Sequence, residues 1–139
     1  DEGNFRMLLR DLADLPDFAL FTGSEIVCDA ALLGGAHGIV PGLANVDPRG
    51  YVRLYDHARA GRWSEARAEQ ERLISLFQMV FFAAQDLSAG ASGVGSFKTA
   101  LKLMGLARSH HMARPNRPLP PAAVERVRQH LVAHGLLAA

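Results

Sequence analysis

Apolar residues recur at helical spacing near the start of the chain. Phe5, Leu8, Leu9 and Leu12 lie three or four positions apart, which is typical of an amphipathic helix. The Pro16-Asp17 pair that follows favours a turn. The pattern therefore predicts a first helix from Asn4 to Leu15.

Two short apolar runs come next, and each is typical of a strand that is buried on both faces. The first is Phe18 to Phe21, and the second is Gly38 to Val40. Between them, Ser24 to Gly34 has the apolar spacing of a helix and ends in two glycines. The first third of the chain is thus predicted to run helix, strand, helix, strand.

Beyond this point the pattern is helical. Asp47-Pro48 is a strong helix start, because Asp can cap free amides and Pro loses no needed donor at the first helical position. A long helix follows, with Ala66, Gln70, Leu73 and Phe77 along one face. The predicted segments are helices over Asp47 to Ala60, Ser64 to about Ala84, Phe97 to Met104 and Pro121 to His134, a flexible loop over Ser88 to Ser96, and a stiff connector over Arg114 to Pro121.

Strands that alternate with helices indicate parallel pairing, because each crossover is occupied by a helix. Two strands cannot form a sheet that stands alone. An open doubly wound sheet and a closed (β/α)8 barrel both satisfy this spacing, and both need strands from another part of the protein. The hydrophobic pattern leaves these two α/β folds open.

Composition excludes several function classes. The 139 residues carry a formal charge of +1, and the arginines are scattered, so we expect no nucleic-acid partner. The apolar stretches are too short to cross a bilayer, so we expect no membrane association. The single cysteine, Cys28, leaves no internal disulfide and fits a cytoplasmic location. The chain begins at Asp1 without methionine, so we expect a preceding segment.

A few residue types in the chain could carry chemistry, and most have a plainer explanation. Lys98 and Lys102 are the chain's two lysines, but their predicted helix implies no cleft, so a structural or surface role is favoured. The adjacent His110 and His111 lack the spacing that directs two rings at one metal ion, and we predict no metal site. The glycines between Ser88 and Ser96 follow no strand, so they do not form a phosphate loop.

A set of ordered motifs resembles one known family. They are Phe21-Thr22-Gly23-Ser24-Glu25, then Gly35 to Val46, Arg59-Ala60-Gly61, Phe97 to Leu101 and Arg117-Pro118-Leu119. Their order and separations are similar to those of the dihydrodipicolinate synthase/N-acetylneuraminate lyase family, and the similarity covers essentially the whole chain. The resemblance implies the C-terminal part of a (β/α)8 TIM barrel, with the last two strands and their helices in residues 1–62 and a three-helix C-terminal extension in residues 63–139.

The resemblance also implies a mechanism. Members of this family join or release pyruvate through a Schiff base on a lysine at the end of the sixth barrel strand. Gly3-Asn4 match the closing pair of that motif, which places the lysine about two residues before Asp1. Only a primary amine forms the iminium that draws electrons from the pyruvate methyl carbon, and burial must lower the lysine pKa for attack. No catalytic residue is therefore expected within this chain.

The chain is expected to supply part of the pocket wall, because the loops at the carboxyl ends of barrel strands form the active-site face. The resemblance implies substrate contacts at Gly23, Ser24, Glu25, Val40 and Gly42. By this resemblance, Gly23 allows the backbone to approach the keto acid and the Val40 carbonyl faces the lysine. Glu25 binds substrate hydroxyl groups. Ile26 and Gly42 replace an acidic residue and a serine of the sialic acid lyases. Glu25 also completes Thr22-x-x-Glu25, a pattern typical of a helix capping box.

The expected function is that of a pyruvate-dependent class I aldolase. Its substrates would be a 2-keto acid and an aldehyde, with no cofactor beyond the covalent Schiff base. Two alternatives stay open: a keto-deoxy sugar-acid dehydratase of the same family, and a non-catalytic assembly or regulatory relative. The expected partners are the N-terminal half of the same barrel and, by resemblance, three further copies in a homotetramer.

Overall fold

The computed structural model describes residues 1–138, which form two compact units. One unit contains residues 1–44 and 48–74, and the other contains residues 45–47 and the chain from Ser75 onward. The helices of the described residues are α1 (Glu2–Asp11), α2 (Cys28–Leu33), α3 (Pro48–Arg59), α4 (Trp63–Phe77), α5 (Ala89–Leu103) and α6 (Pro121–Ala133). Two 3₁₀ segments, Gly42–Asn45 and Gln78–Phe81, accompany them.

Two short parallel strands lie in the first unit, β1 (Phe21–Thr22) and β2 (Gly38–Ile39). Phe21 pairs with Gly38 and Thr22 with Ile39, and α2 forms the crossover. The parallel pairing predicted from the sequence is confirmed. The first strand was predicted too early, because Phe18 instead donates its amide to Leu15 in a turn and the ladder with the second strand begins at Leu20.

The first two helices are shorter than predicted. Helix α1 begins where the Asp1 carboxylate accepts the Asn4 amide at 2.8 Å, and it ends at Asp11 rather than Leu15. Helix α2 begins at Cys28 rather than Ser24. The intervening residues 24–27 form a loop whose backbone is bonded by side chains from distant elements, described below.

The Pro and Gly signals place α3 and α6 well. Helix α3 begins at Pro48, and Gly61 just beyond it has a φ of +72°, the left-handed conformation that glycine adopts without a steric penalty. Helix α6 begins at Pro121 and is followed by Gly135 at φ +69°. Both helices are confirmed. The long fourth helix ends early, because its predicted last turns tighten into the 3₁₀ segment Gln78–Phe81.

The prediction of a flexible glycine-rich loop from Ser88 to Ser96 is wrong, because these residues begin α5. The Ser88 hydroxyl caps the helix by accepting the Ala91 amide at 3.3 Å. The buried hydroxyls of Ser92 and Ser96 donate to the carbonyls of Val80 and Met79 in the 3₁₀ segment. Small side chains thus form a close packing face, which offsets the helix cost of glycine, about 1 kcal/mol per residue.

Gly95 shows how close this packing is. A Cβ atom at position 95 would lie 3.2 Å from Leu119 Cδ2, which is tighter than most real contacts of that kind. The predicted helix over Phe97 to Met104 is the second half of one continuous helix, and Gly95 within it serves packing rather than flexibility.

Candidate functional site

Gly23 and Val40 stand side by side at the carboxyl ends of the paired strands. The Val40 amide donates to the Thr22 carbonyl at 2.8 Å, which extends the ladder by one step. A Cβ atom built on Gly23 would lie 3.8 Å from the Val40 carbonyl oxygen, an ordinary contact distance. The contacts among the described residues therefore tolerate a Cβ atom at position 23.

Glu25 joins the loops that follow the two strands. Its Oε1 atom accepts the Gly42 amide at 3.2 Å, across 17 positions of sequence. The capping-box interpretation is wrong, because α2 begins at Cys28 without a side-chain cap and Thr22 Oγ1 instead accepts the Ser24 amide at 3.2 Å. The structure thus brings Glu25 and Gly42, two residues predicted to contact substrate, into direct contact.

Ser24 contributes its backbone to the loop. Its carbonyl accepts the Cys28 thiol at 3.1 Å. Burial raises the pKa of Cys28 to about 12, and the nearby charges of Glu25 and Asp29 add to the rise. Cys28 therefore stays a neutral thiol at physiological pH and is a structural residue rather than a nucleophile.

Gln70 is the main residue that the sequence analysis missed. Its side chain is 2% exposed, although it projects from α4. The Nε2 atom donates to the Glu25 carbonyl at 2.9 Å, and the Oε1 atom accepts the Asp29 amide at 3.3 Å. Tyr51 of α3 also donates its hydroxyl to the Glu25 carbonyl, at 3.4 Å. The sequence signal that could have found Gln70 is a polar residue on an otherwise apolar helix face.

The lysine and histidine candidates lie in the other unit, where they hold a loop. Lys98 Nζ donates to the His111 carbonyl at 2.9 Å, and Thr99 Oγ1 pairs with His110 Nδ1 at 3.2 Å. Partial burial and the charge of Lys102 lower the pKa of His110. A structural role for Lys98 is thus supported by its contact.

Residues 1–138 contain no group of three His, Cys, Asp or Glu side chains arranged to hold a metal ion. No helix among the same residues is both long enough and apolar enough to span a bilayer.

An open apolar hollow of about 410 Å³ lies between β2 and α3 in the first unit. Its lining includes Phe21, Ile39, Val40, Tyr51 and Tyr55. The side chains of Phe21 and Val40 are 53% and 66% exposed, although both belong to runs predicted to be buried. Within residues 1–138 the sheet has only these two strands, so burial of the two runs in a complete barrel stays a prediction.

Comparison with known proteins identifies the family. The sequence profile of the dihydrodipicolinate synthetase family matches residues 3–134. The chain belongs to this family. The 4-hydroxy-tetrahydrodipicolinate synthase of Aromatoleum aromaticum is 34% identical over 111 residues, which is 80% of this chain and 35% of that protein. The enzyme of the same name from Sodalis glossinidius is 32% identical over 122 residues, 87% of this chain and 39% of that protein.

Solved structures of the family have the same fold. The dihydrodipicolinate synthase of Bacteroides thetaiotaomicron aligns with a TM-score of 0.87 at 28% identity, over 96% of this chain and 43% of that one. The Thermotoga maritima enzyme aligns with a TM-score of 0.82 at 23% identity, over 99% and 44%. The chain therefore has the fold of part of a dihydrodipicolinate synthase TIM barrel and spans less than half the length of its relatives. This agrees with the predicted C-terminal part of a barrel.

Proposed function

We propose that the intact protein is a pyruvate-dependent lyase that forms or cleaves a carbon–carbon bond next to a Schiff-base-bound 2-keto acid. The observation that carries the proposal is the group of strand-end residues in a member of this family: Gly23 beside the Val40 carbonyl, and Glu25 bonded to Gly42. In parallel α/β barrels, the loops at these strand ends form the active-site face.

The proposed chemistry needs a lysine about two residues before Asp1, in the motif whose closing pair Gly3-Asn4 match. Its amine would attack the keto carbon of pyruvate, and loss of water would leave an iminium. The iminium withdraws electrons from the methyl carbon, which loses a proton and then attacks the aldehyde carbon. In the reverse direction, the same electron flow releases the aldehyde.

Residues of this chain would bind and orient rather than react. The Gly23 backbone would border the keto acid, and the Val40 carbonyl would face the lysine nitrogen. Glu25 would accept hydrogen bonds from hydroxyl groups of the aldehyde partner, since a carboxylate has acceptor positions beyond the one that the Gly42 amide occupies. Ser24 would border the same substrate.

The relatives favour a carbon–carbon bond-forming reaction over dehydration. The Aromatoleum and Sodalis proteins, both above 30% identity, are named as synthases. A structure of the Ruminococcus gnavus sialic acid aldolase aligns at 20% identity, which supports the shared fold and not the substrate.

We also propose that residues 1–62 complete the barrel, that residues 63–139 form a three-helix extension, and that the intact protein is a homotetramer.

Borohydride trapping of the intact protein with pyruvate tests the function. We expect a mass increase equal to one reduced pyruvate adduct, located by peptide mapping on the proposed lysine. The controls are protein treated with borohydride alone and a variant in which that lysine is replaced by arginine. Absence of an adduct in the intact protein would refute the proposed mechanism.

A further inference from the structure

We infer that Gln70 is a positioning residue, which holds the loop of residues 24–27 and so sets the efficiency with which the aldehyde partner is used. The inference rests on the function proposed above. Gln70 lies 45 positions after Glu25 in the sequence, and α2, β2 and α3 come between them.

The contacts of Gln70 use both ends of its amide group. The NH2 end donates to the Glu25 carbonyl at 2.9 Å, and the oxygen accepts the Asp29 amide at 3.3 Å. One buried side chain thus bonds the backbone at the middle of the loop and at the first turn of α2. A buried amide with both ends bonded has little rotational freedom, so it fixes the distance between these two points.

Glu25 carries this restraint to the second loop. Its carbonyl is held by Gln70, while its carboxylate accepts the Gly42 amide beyond β2. A shift of the Glu25 backbone would therefore move the carboxylate that we propose binds the aldehyde. It would also loosen the loop that begins at Val40.

The helix that bears Gln70 is itself anchored at the adjacent residue. Glu69 accepts from Arg72 at 2.6 Å and from Arg53 of α3 at 2.9 Å. Burial alone would raise the pKa of Glu69, but the hydrogen bonds from Arg72 and Arg53 lower it, so the carboxylate stays ionised and paired. Gln70 therefore projects from a point that is fixed against α3.

Two substitutions at Gln70 in the intact enzyme separate positioning from simple support. Gln70→Met keeps the approximate volume and removes both hydrogen bonds. In Gln70→Glu, a protonated carboxyl group can still donate to the Glu25 carbonyl, whereas an ionised one repels it. Burial and the acidic residues Glu25 and Asp29 favour the protonated form, so this donor is retained at low pH and lost at high pH. Gln85→Glu, at an exposed position of the other unit, is the matched control.

We expect Gln70→Met to retain the borohydride-trapped pyruvate adduct and to lower kcat/KM for the aldehyde by about 10- to 100-fold at every pH, the scale on which small misplacements reduce rate. The ratio of the Gln70→Glu kcat/KM to the parent kcat/KM should approach one at about pH 6 and fall toward about pH 9. Gln85→Glu should follow the parent throughout.

Two results would overturn the inference while leaving the proposed function in place. One is a trapped adduct together with parental kcat/KM in both Gln70 variants. The other is equal loss of adduct, turnover and melting temperature in both variants at all pH values, which would indicate only a role in folding. If the parent itself forms no adduct, the proposed function fails and the inference fails with it.

Discussion

At the scale of single residues, Glu25 has a role that its neighbours in sequence do not indicate. Its carboxylate bonds the Gly42 amide rather than the start of α2. The two strand-end loops are therefore linked by a charge-assisted hydrogen bond, which is stronger than a neutral one. A substrate hydroxyl that reaches Glu25 would meet a carboxylate whose orientation is already fixed.

Substitution of Glu25 separates its structural bond from its proposed contact with substrate. Glu25→Gln keeps an acceptor for Gly42, so we expect pyruvate adduct formation to be retained and turnover of a hydroxylated aldehyde to fall relative to a short aldehyde. Glu25→Ala should also destabilise the intact protein by about 1 kcal/mol through loss of the bond. Turnover with both aldehydes and a melting curve provide the measurements. Parental melting and parental selectivity in both variants would contradict both roles.

Lys98 gives a second test at this scale. Because its amine donates to the His111 carbonyl, Lys98→Ala in the intact protein should lower the stability by about 1 kcal/mol. The borohydride-trapped pyruvate adduct should form as in the parent. Lys102→Ala, on the exposed side of the same helix, is the control. Loss of adduct in a well-folded Lys98→Ala protein would move the Schiff base to Lys98.

At the scale of elements, α6 is held to the end of α4 by two histidines. His130 Nε2 lies 3.1 Å from the carbonyl oxygens of Ser75 and Leu76, so it carries the proton. His134 Nδ1 faces the His130 carbonyl at 2.9 Å, and its Nε2 lies 3.1 Å from the Ser75 hydroxyl oxygen. The two rings are 4.3 Å apart.

This pairing predicts acid sensitivity. Burial, with the neighbouring His134, lowers the pKa of His130, although its backbone hydrogen bonds oppose the change. The unfolded chain then binds a proton more readily than the folded one, so the contribution to stability is present above the ordinary histidine pKa and is lost as pH falls below it. We expect the melting temperature of the intact protein to fall between about pH 7 and about pH 5.

His130→Gln is the variant that tests this prediction, because the Gln amide can still donate to the Ser75 and Leu76 carbonyls but does not titrate. We expect its melting temperature to depend less on pH than that of the parent. His57→Gln, in the other unit, is the control. An identical pH dependence in the parent and in His130→Gln would show that His130 does not cause the acid sensitivity.

At the scale of the whole molecule, the chain carries apolar side chains that its own strands do not cover. Phe18, Phe21 and Val40 are half or more exposed in the first unit. The relatives are more than twice as long as the matched region, which supports the proposal that further barrel strands cover this surface. An exposed apolar patch beside a strand edge favours aggregation.

We therefore expect residues 1–139 expressed alone to be insoluble or to unfold without a cooperative transition, and to bind a hydrophobic dye. Calorimetry and dye fluorescence, with the intact protein as the control, measure this. Phe21→Ser together with Val40→Ser should improve the solubility of the isolated chain, because both changes reduce the exposed apolar area. A sharp thermal transition of the isolated monomer would contradict the half-barrel proposal.

The sequence by itself determined the features that depend on local signals. Pro48 and Gly61 mark the ends of α3, and Pro121 and Gly135 mark those of α6, because their backbone preferences act on adjacent residues. The order of the motifs indicated the family, and the alternation of strands with helices indicated parallel pairing, as the comparisons and the structure confirm.

Tertiary structure alone decided the features that depend on distant partners. The stretch of glycine and serine from Ser88 to Ser96 is helical because it packs closely against Met79, Val80 and Leu119, although its composition favours a loop. Glu25 bonds a residue 17 positions away, and Gln70 bonds one 45 positions away. A buried polar group forms a hydrogen bond with whichever segment the fold places beside it, and the local sequence does not indicate which segment that is.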